Sequence, residues 1–129
     1  MVHDKLDKDK IANISSYLYN DFILNSDKYK SFSYFQKCTA GRLLMFKIMQ
    51  SYFLNKNLHV EELIRQIPIH IASRLSLFNL IDNAVKKGII KKENSNGLDK
   101  RKRTITPSEV LVKEYNDWLH HYINQLNSQ

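Results

Sequence analysis

The sequence predicts a mainly α fold with a minor β component (α+β), and three observations carry that expectation. Gly (3) and Pro (2) are too scarce in 129 residues to turn the chain every ten residues or so, as an all-β sandwich or barrel requires. Apolar side chains recur at three- and four-residue steps over most of the chain. Only after Gly88 does the pattern change, to a short run that reads as strand, turn and strand. The length suits one domain spanning residues 1–129, and 43% hydrophobic with 26% charged residues is ordinary for a globular protein. The single cysteine, Cys38, excludes an internal disulfide framework and a multi-cysteine zinc site. No apolar run approaches the roughly 18 residues of a membrane span, and the charged segment Met1–Lys10 is no secretory signal. The expectation is a cytoplasmic protein with no membrane partner.

Residues from about Asp4 to Asn25 read as a first helix, because Ile11, Ile14, Leu18 and Phe22 share one face. Asn25-Ser26-Asp27 reads as a break. A second helix is expected from about Ser33 to Asn55, with Gly41 weakening its middle and allowing a split near Thr39 to Gly41. Leu58 to Val60 reads as a short extended piece. A brief helix from Glu61 to Ile67 follows, with its acids in the first turn and Pro68 closing it. The next strong helix, about Ile71 to Lys87, turns Leu77, Leu80, Ile81, Ala84 and Val85 inward. Gly88 supplies its left-handed cap, and Lys86 and Lys87 complement its carbonyl end.

Ile89 to Glu93 then reads as a strand, Asn94-Ser95-Asn96-Gly97 as a turn, and Lys102 to Ile105 as the returning strand. Thr106 is the expected N-cap of the last helix, with Pro107 at N1 and Glu109 completing a capping box. That helix runs to about Leu126, with Tyr115, Trp118, Leu119 and Tyr122 along one side.

The net charge is +7, and its placement matters more than its size. The 18 residues from Lys86 to Arg103 alone sum to +6, a density that attracts polyanions and releases their counterions. A short helix, a turn, a longer amphipathic helix and a basic hairpin, in that order, describe a winged helix-turn-helix with a two-stranded β-wing. Its DNA-binding part is expected at about residues 58–106, flanked by helices at about 4–25 and 107–127. In that geometry the longer helix enters the major groove of double-stranded DNA, and the wing reaches phosphates or the minor groove.

The same residues resemble the MarR (multiple antibiotic resistance regulator) family, whose pattern for recognition helix and wing reads S-R-x-T/S-V-x-R-L-I-D-x-L-x-x-K-G-L-I, then D-x-R, then L-T-x-x-G. Here Ser73-Arg74-Leu75-Ser76-Leu77-Phe78-Asn79-Leu80-Ile81-Asp82 and Lys86-Lys87-Gly88-Ile89-Ile90 follow it closely. Asp99-Lys100-Arg101 matches the wing motif, and Ile105-Thr106-Pro107 the start of the following helix. The resemblance covers about Leu58 to Trp118 well and the rest by helix order. It departs at Pro68, where glycine is common, at apolar Leu75 and Phe78, and at Asn79, where a basic residue is frequent. The resemblance implies a dimeric repressor of transcription reading a pseudo-palindromic operator, with the outer helices as the dimer interface. It also implies a small-molecule effector cleft between the dimerising and DNA-binding parts, and places Arg101 at the family's minor-groove arginine.

Lys100, Lys102 and Arg103 read as phosphate neutralisers. Ser73, Arg74, Ser76 and Asn79 lie away from the helix's inner face. Arg74 suits guanine or phosphate, and Asn79 suits adenine. The bland reading of each is an exposed polar surface, and Phe78 reads as packing. For Cys38 the resemblance allows a peroxide-sensing thiol, as in some relatives, but the residue reads as a small buried hydrophobe. The histidines lack metal-ligand spacing, so neither metal nor cofactor is expected. No nucleophile–base pair or phosphate-cradling glycine loop points to an enzyme. The alternative is a winged-helix interaction module binding RNA or an acidic protein, favoured by Leu75 and Phe78.

Overall fold

Helix α1 (Lys8–Lys28) begins where the Asp7 carboxylate accepts the Lys10 amide, a side-chain N-cap, in a computed structural model that describes residues 7–94 and 103–128. The break expected at Asn25-Ser26-Asp27 does not form. Asn25 is buried, and its amide donates to Asp21 Oδ2 one turn back, so the helix gains a side-chain tie where a stop was expected. Helix α2 (Lys30–Gln36) follows at once, then α3 (Thr39–Phe53). The split expected near Thr39 to Gly41 falls two residues earlier, at Lys37–Cys38. Cys38 is exposed rather than buried, and its Sγ accepts the Gly41 amide at 3.4 Å as the N-cap of α3. Gly41 lies close against the end of α2, since a Cβ there would sit 2.6 Å from the Phe35 carbonyl oxygen.

Strand β1 (Leu58–His59), helix α4 (Val60–Arg65) and helix α5 (Arg74–Lys86) come next. Helix α5 starts three residues later than the sequence suggests, because Ser73 caps it by accepting the Ser76 amide at 3.1 Å. Its far end is a Schellman turn. Gly88 (φ +74°) donates to Val85 O and Ile89 to Ala84 O, as the predicted left-handed glycine cap requires.

Strands β2 (Ile90–Asn94) and β3 (Arg103–Pro107) pair antiparallel from Ile90↔Pro107 to Asn94↔Arg103. On the other side of β3 lies β1, with Leu58 opposite Ile105, so the sheet order is β1-β3-β2. The expected wing ribbon is thus the outer part of a three-stranded sheet. This register overturns the expected capping box. Thr106 faces Lys91 and Pro107 faces Ile90 inside β3, beyond the reach of β1, where a missing N–H breaks no second ladder. The N-cap of the last helix, α6 (Glu109–Asn127), is Ser108, whose hydroxyl accepts the Leu111 amide.

One core joins these parts. Phe32, Phe35, Leu44, Met45, Ile48, Leu63, Leu77, Ile81, Ile90 and Leu111 are fully buried in it. Helix α2 is hydrogen-bonded to both α6 and α5. The Phe32 amide donates to Glu114 on α6 (3.0 Å), and the Tyr34 hydroxyl donates to the Leu80 carbonyl on α5 (2.7 Å). Helix α1 stays outside the core and meets α6 through polar and aromatic groups. Trp118 Nε1 donates to Asp21 Oδ2 at 2.7 Å, and the rings of Tyr17 and Tyr122 lie 6.2 Å apart. On the outer side of α1, Ile11 and Phe22 are 48% and 53% exposed in the single chain. Tyr17, Asp21 and Asn25 face inward: Tyr17 meets the Tyr122 ring, Asp21 accepts from Trp118, and Asn25 donates to Asp21.

Together, α3-β1-α4-α5-β2-β3 form a winged helix-turn-helix, with α1, α2 and α6 added around it.

Candidate nucleic-acid interface

Helix α5 buries Leu77, Ile81 and Ala84, and the helical period sets the opposite face from them. The ridge farthest from the core is Leu75, Asn79, Asn83 and Lys86, all exposed. No described element covers it. Beside it runs the paired ribbon β2–β3, which leads toward the basic segment of residues 100–103. A helix with an open ridge beside a paired ribbon has a shape that fits a groove.

The candidate side chains divide sharply. Ser73 and Ser76 are exposed but engaged with each other. The Ser73 hydroxyl accepts the Ser76 amide and donates to the Ser76 hydroxyl at 3.0 Å, which fixes the start of α5. Arg74 lies on the flank rather than the ridge. Its Nη2 donates to Glu61 Oε2 at 2.8 Å, and its guanidinium sits 5.6 Å over the Phe78 ring. Phe78 is half-buried against the core, as the packing reading expects. Asn79 is exposed, and its carboxamide makes no hydrogen bond among the described residues. Lys100, Arg101 and Lys102 lie outside the described residues. Arg103 opens β3 opposite Asn94, half-buried, with its Nε buried and without a hydrogen-bond partner among the described residues.

Two contacts invisible in the sequence pattern set the geometry. Lys92 Nζ on β2 pairs with Asp82 Oδ1 on α5 at 3.0 Å, with the lysine side chain only 15% exposed. That pair pins the ribbon to the helix, so Lys92 is a structural cation and not part of the open charge. Glu61 on α4 does the same for Arg74. Helical phase taken from Leu77, Ile81 and Ala84 would have placed Leu75 and Asn83 on the ridge beside Asn79.

Behind α5, burial raises the pKa of the Tyr34 phenol, with the nearby Cys38 adding to the shift. Its proton is the one given to Leu80 O. Lys30, Ser31, Ser33, Tyr34, Lys37, Lys87 and Ile89 line a cleft of about 590 Å³ between α2 and the end of α5. Among the described residues no His, Cys, Asp and Glu side chains gather in a group that could hold a metal ion. No helix among them is long and apolar enough to cross a membrane.

No family model matches the sequence. No curated protein matches it either. Among solved structures, the chain is similar to the crystal structure of the adhesin competence repressor AdcR from Streptococcus pyogenes. The likeness covers 92% of this chain and 77% of that one, at 16% identity and a TM-score of 0.44. At that distance it carries no inference about this chain.

Proposed function

We infer that the protein is a DNA-binding transcriptional regulator of the MarR-like kind, acting as a dimeric repressor on a pseudo-palindromic operator. The observation that carries this reading is the open ridge of α5 lying beside a paired ribbon that leads into Lys100, Arg101, Lys102 and Arg103. The ridge lies in the major groove. Lys100, Lys102 and Arg103 neutralise phosphates, and Arg101 enters the adjacent minor groove.

The dimer is supported by the apolar stripe of Ile11 and Phe22 on α1 and by Ile123 on α6, each about half exposed in a single chain. A second copy packed there presents two α5 helices about 34 Å apart, one turn of DNA. The effector is assigned to the cleft lined by Lys30, Lys37 and Lys87, whose three ammonium groups favour an anion.

Titration of duplex DNA at increasing salt tests the reading. Each phosphate contact contributes about −0.9 to the slope of log affinity against log salt, so eight contacts give roughly −7. Arg101→Ala should weaken binding and flatten that slope. A flat salt response, or no duplex binding at low salt alongside retained RNA binding, refutes it.

A further inference from the structure

Resting on the DNA reading above, we propose that α5 recognises A·T base pairs in the major groove, with Leu75 contacting a thymine methyl and Asn79 pairing with adenine. Leu75 is 71% exposed, at the first turn of a helix that has ample core positions for leucine. It stands four residues before Asn79 on the ridge opposite Leu77, Ile81 and Ala84. Two side chains so spaced are about 6 Å apart along the axis, close to two base-pair steps of about 3.4 Å each. It is the N-terminal part of a recognition helix that meets base edges, and Leu75 and Asn79 lie there, while Asn83 and Lys86 lie toward the other end.

The chemistry of the ridge selects the base pair. An apolar side chain in the major groove complements the C5 methyl of thymine, and a carboxamide pairs bidentately with adenine N6 and N7. Guanine is read chiefly by arginine or lysine. The arginine nearest the base edges, Arg74, is on the flank, held by Glu61 at 2.8 Å and by the Phe78 ring. Lys92 is held by Asp82. The part of α5 facing the groove floor therefore presents one methyl-complementary group and one adenine-complementary group, and no free guanidinium.

The probes are duplexes of equal length: one of alternating A·T pairs, the same with uracil for thymine, one of G·C pairs, and the last with 5-methylcytosine. Uracil removes the methyl and leaves base pairing and phosphates intact. Wild type should bind the thymine duplex about fourfold more tightly than the uracil duplex for each methyl contacted, the value of one buried methyl group. Methylating cytosine should recover part of the loss on G·C. Leu75→Ala, at an exposed site with alanine's good helix propensity, should bind the thymine and uracil duplexes alike. Asn79→Ala should lose at least about fivefold of the preference for A·T over G·C. Wild-type binding that is equal on thymine and uracil duplexes and unchanged in Leu75→Ala overturns this assignment and leaves DNA binding standing. No binding to any duplex at low salt overturns both.

Discussion

Replacing Gly41 with alanine tests the close passage of α3 against the end of α2. The new Cβ would stand 2.6 Å from the Phe35 carbonyl oxygen and 3.2 Å and 3.3 Å from that residue's C and Cα. All three are backbone atoms, so no rotamer change relieves the overlap. Helices α2 and α3 must separate by about 0.8 Å to restore ordinary contact, and overpacking of this kind costs about 1–3 kcal/mol. Against it stands the gain of alanine over glycine in a helix, at most about 1 kcal/mol and smaller in the first turn, where Gly41 lies. The net expectation is a loss of about 1–2 kcal/mol, or roughly 4–8 °C in Tm for a domain of this size. Urea unfolding followed by Trp118 fluorescence reads it directly, because that indole lies 4.9 Å from the Phe32 ring on α2. The midpoint should fall with the slope unchanged. Thr39→Ala, at an exposed position of the same turn, should stay within about 0.5 kcal/mol. A Gly41→Ala midpoint equal to or above wild type would refute the close approach of the two helices.

Three further outcomes follow from other contacts. Glu61→Gln should cost little stability, about 0.5 kcal/mol or less, since the Arg74 pair is 55% and 38% exposed. It should also release Arg74 and steepen the salt slope of duplex binding by about 0.9 per subunit, measurable by the same titration. Asp21→Asn weakens the acceptor shared by Trp118 Nε1 and Asn25 and should cost about 1–2 kcal/mol, seen in thermal unfolding and as earlier proteolysis within α1. Stability should fall as pH rises past about 10. Burial raises the pKa of Tyr17, Tyr34 and Tyr115 above the usual 10.0, so the unfolded chain releases those protons first. The contribution is complete below pH 10 and is lost as pH climbs toward the folded values. Urea midpoints that stay level across that range would count against these burials.

The helix-turn-helix and its ribbon were legible because each rests on local chemistry. Gly88 must take a positive φ, Leu77, Ile81 and Ala84 fix the buried face of α5, and the strand pattern begins directly after the cap. The misreadings came from partners distant in sequence. Thr106 and Pro107 carry a good capping signature, yet the register with Lys91 and Ile90 draws both into β3 and passes the cap to Ser108. Asn25 suggests a stop until Asp21 and burial give its amide a partner. Gly41 reads as a weakness of the helix, whereas the proximity of Phe35 makes it a requirement. At the site, Arg74 is an inviting base reader by type and position. Only the fold brings Glu61, thirteen residues earlier, within 2.8 Å of it.

The seven residues of α2 hold both α5 and α6, through Tyr34 and Phe32 two residues apart. A helix of that length spans only about 10 Å, too short to bend and absorb displacement. It behaves as a strut. Rocking α6 by more than the play in a hydrogen bond must either snap the Glu114 link or drag α5 along, and pressure on α5 from outside must return by the same route. The last helix of the chain is therefore mechanically audible to α5 in its middle, with no lever longer than two turns.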